Sequence, residues 1–226
     1  MTPHDPATAF GTLGFYPTIL KRIGDLLLAT VLVVLLLPVM VATWVAVRIV
    51  LGKPVLYCDR RAGKAGCPIA IVKFRSMSTA SDLSGRPLPD AERLGRFGKF
   101  LRSTSLDELP QLLSVLSGEM SLVGPRPLPL AYTVRYSPRQ ATRLLLRPGL
   151  TGWAQIHGRN SLDWPTRLEL DADYVERVQD WYAPFLDVWI IVATVFQLVW
   201  QTLTGRGIAA PGCTTMPEFF PTGEQP

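Results

Sequence analysis

The longest apolar stretch of the chain runs from Leu26 to Val47, 22 residues without a charged side chain. That length is enough to span a bilayer as a helix, whereas a helix covering a soluble core keeps one polar face. The pattern predicts a membrane-inserted helix over 21–50, opened by Lys21 and Arg22 and closed by Arg48. From Pro54 onward, polar and apolar positions mix as in a globular domain, 51–184. Ala70–Phe74 predicts a short strand, and Ser78–Asp90, polar with Pro and Gly, predicts a loop. Helical spacing predicts helices over Ala91–Leu101, Glu108–Leu116 and Trp164–Gln179. Pro184 then introduces a second apolar stretch, Phe185–Leu203, broken only by Asp187, Gln197 and Gln201, within a predicted C-terminal helical segment 185–207. Trp189 and Trp200 near its ends suit a helix at the membrane interface, although a core helix fits the same pattern. Residues 1–20 and 208–226, rich in Pro, Thr and Gly, predict tails, and the first is not a signal peptide because its apolar run comes too late. The expected architecture is α/β, mostly helical with a small β-sheet.

Pro38 lies inside the long apolar run and divides it into arms Leu26–Leu37 and Val39–Val47. At 1.5 Å per residue these measure roughly 18 and 14 Å, each about half of a hydrocarbon core. An internal proline loses a backbone hydrogen bond and kinks a helix. Both flanks are basic: Lys21 and Arg22 before, then Arg48, Lys53, Arg60, Arg61 and Lys64 after. Positive flanks stay on the cytoplasmic side. A kinked, re-entrant helix with both ends on one side satisfies these features, and a single span with a tolerated proline is the alternative.

Charge narrows the choice of partners. The net charge is +5 and only 18% of residues are charged, so nucleic acid, an anionic membrane or a phosphorylated substrate are all candidates. The basic residues are interleaved with apolar and acidic ones, and no nucleic-acid-binding module, Walker A loop or GxGxxG turn is present. Cys58, Cys67 and Cys213 have no metal-site spacing, and an odd number argues against a disulfide framework. His157, alone in the domain, reads as structural rather than catalytic.

The densest chemistry is Arg102-Ser-Thr-Ser-Leu-Asp107-Glu108-Leu-Pro110. Adjacent carboxylates ahead of a helix suit its macrodipole, and Ser105 with Glu108 has capping-box spacing; Asp107 as the cap accommodates Pro110 better. Against simple capping stands the charge around them. Lys73 and Arg75 follow the strand, and Arg96, Lys99 and Arg102 precede the dyad. Arg126 sits between two prolines, and Arg147 precedes Pro148-Gly149. Arginine pairs with phosphate in a bidentate way and stays charged. The combination suits a diphosphate with a carboxylate poised against it.

Four stretches carry a family resemblance: Lys73-Phe-Arg-Ser-Met77, Arg102 to Gln111, Gly118-Glu-Met-Ser-Leu-Val-Gly-Pro-Arg-Pro127 and Arg147-Pro-Gly-Leu-Thr-Gly-Trp-Ala-Gln155. With Gly158-Arg-Asn160 and Leu170-Asp-Ala-Asp-Tyr-Val175 they resemble the short, single-domain bacterial sugar transferases, the monotopic phosphoglycosyl transferases, over about 21–207. The resemblance implies transfer of a sugar 1-phosphate from a UDP-sugar to a polyprenyl (undecaprenyl) phosphate, with release of UMP. This step begins membrane glycoconjugate assembly at the cytoplasmic face of the bacterial inner membrane. It implies Asp107 as nucleophile, Mg2+ held at Asp107 and Glu108, and Glu108 either as metal ligand or as assistant to the acceptor. Arg102 and Arg126 match phosphate-holding arginines; Lys73, Arg75 and Arg147 match basic positions. It also implies the re-entrant helix, although short members often carry Ser-Pro where this chain has Leu37-Pro38.

Two other functions compete. Asp171-Ala-Asp173 has the DxD form of metal-dependent glycosyltransferases, yet Leu168, Asp171 and Val175 follow helical steps rather than a strand. A membrane-anchored scaffold explains the apolar helix and the basic charge but not the dyad among arginines.

Overall fold

The computed structural model describes residues 13–82, 84–158, 162–204 and 219–220. A π-helical turn, Tyr16–Leu20, feeds directly into α1 (Lys21–Val50), so the end of the predicted N-terminal tail is helical. α1 continues as one helix through Pro38, which itself has no N–H to donate. Two antiparallel strands follow, β1 (Leu56–Ala62) and β2 (Pro68–Phe74), in register from Leu56 against Phe74 to Ala62 against Pro68. The first was not legible: Leu-Tyr-Cys-Asp-Arg-Arg-Ala has no alternation, and its partner strand holds it extended.

The predicted helix 91–101 is two helices, α2 (Asp90–Arg93) and α3 (Arg96–Ser103), broken at Leu94 and Gly95. Close packing accompanies the break. A Cβ on Gly98 would stand 1.8 Å from the Ser76 carbonyl oxygen, so only glycine lets α3 press against the chain after β2. A 3-10 turn, Leu106–Glu108, leads to α4 (Gln111–Ser117). Then come β3 (Ser121–Val123), α5 (Pro138–Ala141), β4 (Gly149–Thr151), α6 (Trp153–Ile156), α7 (Trp164–Arg177) and α8 (Ala183–Thr204). The strands β3 and β4 pair in parallel, making a second two-stranded sheet where a single small one was expected.

Two apolar cores lie under the chain. One gathers Ile71, Leu112, Val115, Met120, Leu122, Tyr174, Val178 and Ile190 around Ala29 of α1. The other gathers Val55, Phe74 and Leu101 around Val47, near the far end of α1. Leu109, beside the dyad, packs against both. Elsewhere α1 is bare: Leu27, Val34, Leu35 and Ile49 are each two-thirds or more exposed. On α8, Leu186 and Ile190 are buried while Phe185, Trp189, Phe196 and Trp200 are exposed. Each of these helices is long and apolar enough to cross a membrane, by length and composition. Exposed rows of this size on a helix are the signature of a lipid or protein contact.

A buried polar joint fixes the two apolar helices together. Asp187 of α8 accepts from Lys21 Nζ at 2.5 Å, Tyr16 Oη at 2.7 Å and Tyr174 Oη at 2.6 Å. Asp25 of α1 accepts from Ser121 Oγ at 2.7 Å and from the Leu122 amide at 3.2 Å. The expected C-terminal tail is not wholly free either. Phe219 is buried against Tyr132 and Leu168, and its amide donates to Tyr132 Oη at 3.2 Å.

Candidate active site

The local backbone around the dyad explains its availability. Ser105 adopts φ +54°, a left-handed conformation costly for a residue with a Cβ. That turn lifts Asp107 and Glu108 out of α4, whose N-cap is Pro110, and neither turn nor helix has a side-chain cap. The capping explanation of the dyad therefore fails, and the predicted helix start at Glu108 moves to Gln111. Asp107 is buried, at 7% exposure, and its carboxylate accepts no hydrogen bond from the described residues.

Glu108 is held differently. Its Oε1 accepts from Lys73 Nζ on β2 and from Arg126 Nη2 after β3, each at 3.0 Å. Burial pushes the Glu108 carboxyl up, but the charges of Lys73 and Arg126 outweigh it and keep the group well below the usual carboxylate range. Asp107 moves the opposite way, raised to about 6 by burial first and by the adjacent Glu108 charge second. Arg102 of α3 completes the group, its Nε donating to Ser76 Oγ at 3.0 Å.

These side chains share a cavity of about 1200 Å³. Lys73, Arg102, Arg126, Asp107 and Glu108 make one region of its wall. Leu28, Leu32 and Leu36 of α1 and Ile191, Val195 and Leu198 of α8 make another, so the two lipophilic helices enclose the same space as the dyad. In the metal-free protein, the Asp107 carboxyl is expected to protonate as pH falls through about 6, against about 3.9 for an unperturbed aspartate. Infrared difference spectra would show the protonated-carboxyl band growing in below pH 6 and missing from Asp107→Asn. A band appearing only below pH 4 would mean that burial and Glu108 do not set this group.

Two expected phosphate-binding residues are placed otherwise. Arg75 reaches the cavity wall, but its Nη2 donates to the carbonyls of Leu51 and Gly52, closing the end of α1. Its Nε and Nη1 are buried without an acceptor among the described residues. Arg147 does not line the cavity. Its Nε donates to the Gly118 carbonyl at 2.9 Å, while Arg22 donates to the carbonyls of Val115 and Leu116. Both arginines thus satisfy the C-terminal carbonyls of α4, a common role for a cation at a helix end. The DxD reading also fails: Asp171 is bound by Arg143 at 2.8 and 3.1 Å, and Asp173 by Arg139 at 2.7 Å, both on a helix. Of the resembling segment Gly158-Arg-Asn160, Arg159 and Asn160 lie outside the described residues.

The family model for bacterial sugar transferases matches residues 16–201, which takes in α1, the dyad, both sheets and nearly all of α8. The chain belongs to the bacterial sugar transferases. It is 41% identical over 206 residues to the uncharacterized sugar transferase EpsL of Bacillus subtilis, covering 91% of this chain and 98% of that one. It is 38% identical to the UDP-glucose:undecaprenyl-phosphate glucose-1-phosphate transferase of Escherichia coli, over 79% of this chain and 40% of that one. It is 35% identical to the UDP-N-acetylgalactosamine-undecaprenyl-phosphate N-acetylgalactosaminephosphotransferase of Aeromonas hydrophila, over 83% and 44%. This sugar transferase thus spans well under half the length of those two relatives and nearly the whole of the first.

Sequence reasoning missed several residues of the sugar transferase's cavity. Gln111, 3% exposed, lines it with a buried Nε2 that finds no acceptor among the described residues. Trp164 and Arg167 bring α7 to the same wall. The helical spacing of 164–179 held the signal, because it sets Arg167, Asp171 and Tyr174 on one buried face.

Proposed function

We propose that this chain transfers a sugar 1-phosphate from a UDP-sugar to a polyprenyl phosphate, the reaction class in the names of its Escherichia coli and Aeromonas relatives. The supporting observation is the cavity, which joins an arginine-flanked carboxylate to apolar walls on two lipid-facing helices. A water-soluble diphosphate and a lipid phosphate both find matching surface there. An Asp107 carboxylate oxygen forms a bond to the β-phosphorus, the bond from that phosphorus to the bridging oxygen breaks, and UMP leaves. An oxygen of the acceptor phosphate then attacks the same phosphorus, and the aspartyl–phosphorus bond breaks to restore Asp107. Splitting one displacement into two is what a weak carboxylate nucleophile offers. Lys73, Arg102 and Arg126 offset charge on the phosphates, in a site partly shielded from water.

Magnesium fits the donors left over. Both cations bonded to Glu108 use Oε1, so Oε2 and the Asp107 carboxylate remain to accept a metal. No group of three or more metal-binding side chains exists among the described residues, but Mg2+ is commonly held by one or two carboxylates plus substrate phosphates and water. When bound, it supplies charge neutralisation of the diphosphate.

Packing supports one membrane arrangement. The N-terminal half of α1, through Ala29, Leu32 and Leu36, packs against one core and its C-terminal half, through Met40 and Val47, against the other, and the two cores meet at Leu109 of one globular body. A helix crossing the bilayer would carry one end away from that body. The helix is re-entrant in this reading, with its flanks and the catalytic domain at the cytoplasmic face of the inner membrane.

The test is nucleotide release from detergent-solubilised protein supplied with Mg2+, undecaprenyl phosphate and a panel of UDP-sugars. UMP release dependent on the lipid phosphate is expected, and the active sugar names the donor. Release of UDP instead would sink this reading.

A further inference from the structure

Two uncharged side chains of the cavity wall each keep a buried hydrogen-bonding atom unpaired among the described residues. Gln111, 3% exposed, opens α4 shortly after Glu108, and its Nε2 has no acceptor there. Gln155 of α6 is the complement. Its Nε2 donates to the Leu150 carbonyl at 3.1 Å, which leaves its Oε1 buried with no donor among the described residues. Thr151 and Thr194 line the same cavity, but their hydroxyls satisfy each other at 2.6 Å. A buried amide left unpaired costs stability, and native interiors rarely keep one without a use.

Both amides stand close to the dyad. Gln111 follows it along the chain, at the start of the helix that the catalytic turn leads into. The fold brings Gln155 there from the other side of the sequence. A Cβ on Gly152 would meet Gln155 Oε1 at 3.0 Å and the Gly124 carbonyl oxygen at 2.1 Å, so this amide rests where the chain after β4 presses on Gly124. Just beyond Gly124, Arg126 bonds Glu108.

Chemistry selects the occupant. A diphosphate offers acceptors only, which suits Gln111 but not the bare oxygen of Gln155. A polyprenyl chain offers neither donors nor acceptors. Hydroxyl and acylamino groups of a sugar both donate and accept. Uracil does so too, but the ribose and the α-phosphate separate it from the reacting centre. The sugar is joined through a single oxygen to the phosphorus that Asp107 attacks.

We infer that Gln111 and Gln155 bind the sugar of the donor, Gln111 donating to one of its oxygens and Gln155 accepting from a hydroxyl or an acylamino N–H. The inference rests on the proposed transfer reaction. The terminal amide of glutamine turns about a soft torsion, so Gln111 presents its Nε2 to the sugar with little rearrangement. Holding the ring at a donor and an acceptor together orients the phosphorus before Asp107. It also selects among sugars, because an epimer leaves one of the two amides unpaired.

The test compares the affinities of UDP and of the UDP-sugar most active in the nucleotide-release panel. Titration calorimetry reads both on the full chain in detergent, with Mg2+ and without acceptor, in an Asp107→Asn background that keeps the donor from being consumed. The ratio of UDP-sugar to UDP affinity should fall about tenfold in Gln111→Leu and in Gln155→Met, through the UDP-sugar alone. Gln111→Leu removes an unpaired buried amide, so the fold has little to lose. A purely structural role would weaken both ligands in parallel. That result, or an unchanged ratio in either variant, overturns the inference. If Gln111→Leu does not fold, Gln111→Met decides by the same ratio. Failure of the wild-type protein to release UMP from any UDP-sugar would instead remove the transfer reaction beneath it.

Discussion

Asp107→Asn is expected to lower lipid-dependent UMP release by on the order of 10³-fold or more, the scale on which loss of a covalent nucleophile is felt. The asparagine is nearly isosteric and removes a buried charge that receives no hydrogen bond from the described residues, so the fold has little to lose. Membrane association should be unchanged, because the exposed apolar faces of α1 and α8 do not involve the dyad. A second readout separates nucleophile from metal ligand. With radiolabelled UDP-sugar and no acceptor, wild-type protein should retain covalent label and the variant none. Ordinary turnover by Asp107→Asn would show that the nucleophile is another residue. A scaffold would keep its biological role with this substitution, so complementation of a deletion strain distinguishes the two.

Asp187→Ala is expected to be the most damaging single change to stability, by about 3–5 kcal/mol, the usual cost of breaking a buried ion pair from one side. It strands Lys21, whose side chain is 7% exposed, and removes the acceptor of Tyr16 and Tyr174. Asp187→Asn keeps an acceptor oxygen for the hydroxyl groups and should cost less. Thermal unfolding in one detergent ranks the three proteins. An Asp187→Ala melting curve matching wild type would mean that the joint between α1, α7 and α8 does not contribute to stability.

The elements legible in the sequence were those whose own residues decide them. The charge-free run of α1, the period of α7 and the apolar face of α8 needed no partner to be recognised. β1 was hidden because its extended form comes from pairing with β2, and the break between α2 and α3 because the close approach at Gly98 is tertiary. The site was half legible for a related reason. Asp107, Glu108, Lys73, Arg102 and Arg126 were named from charge density and resemblance, and they do converge. Arg75 and Arg147 look identical to them in sequence, yet the nearest unsatisfied carbonyls, at the ends of α1 and α4, claim them. Local sequence says that a guanidinium needs acceptors but not which ones it will meet. Arg167, which lines the cavity, was passed over because it stands in a helix with no other basic signal around it.

The place of α1 in the molecule also limits how the protein can be handled. Its residues complete both cores and part of the cavity wall beside the dyad. Cutting it away to obtain a water-soluble fragment would remove Ala29 and Val47 from the cores beside the Leu106–Glu108 turn and open the cavity next to it. Solubility has to be sought by redesigning the outward side chains of this helix, because the backbone of this apolar helix is also part of the enzyme's frame.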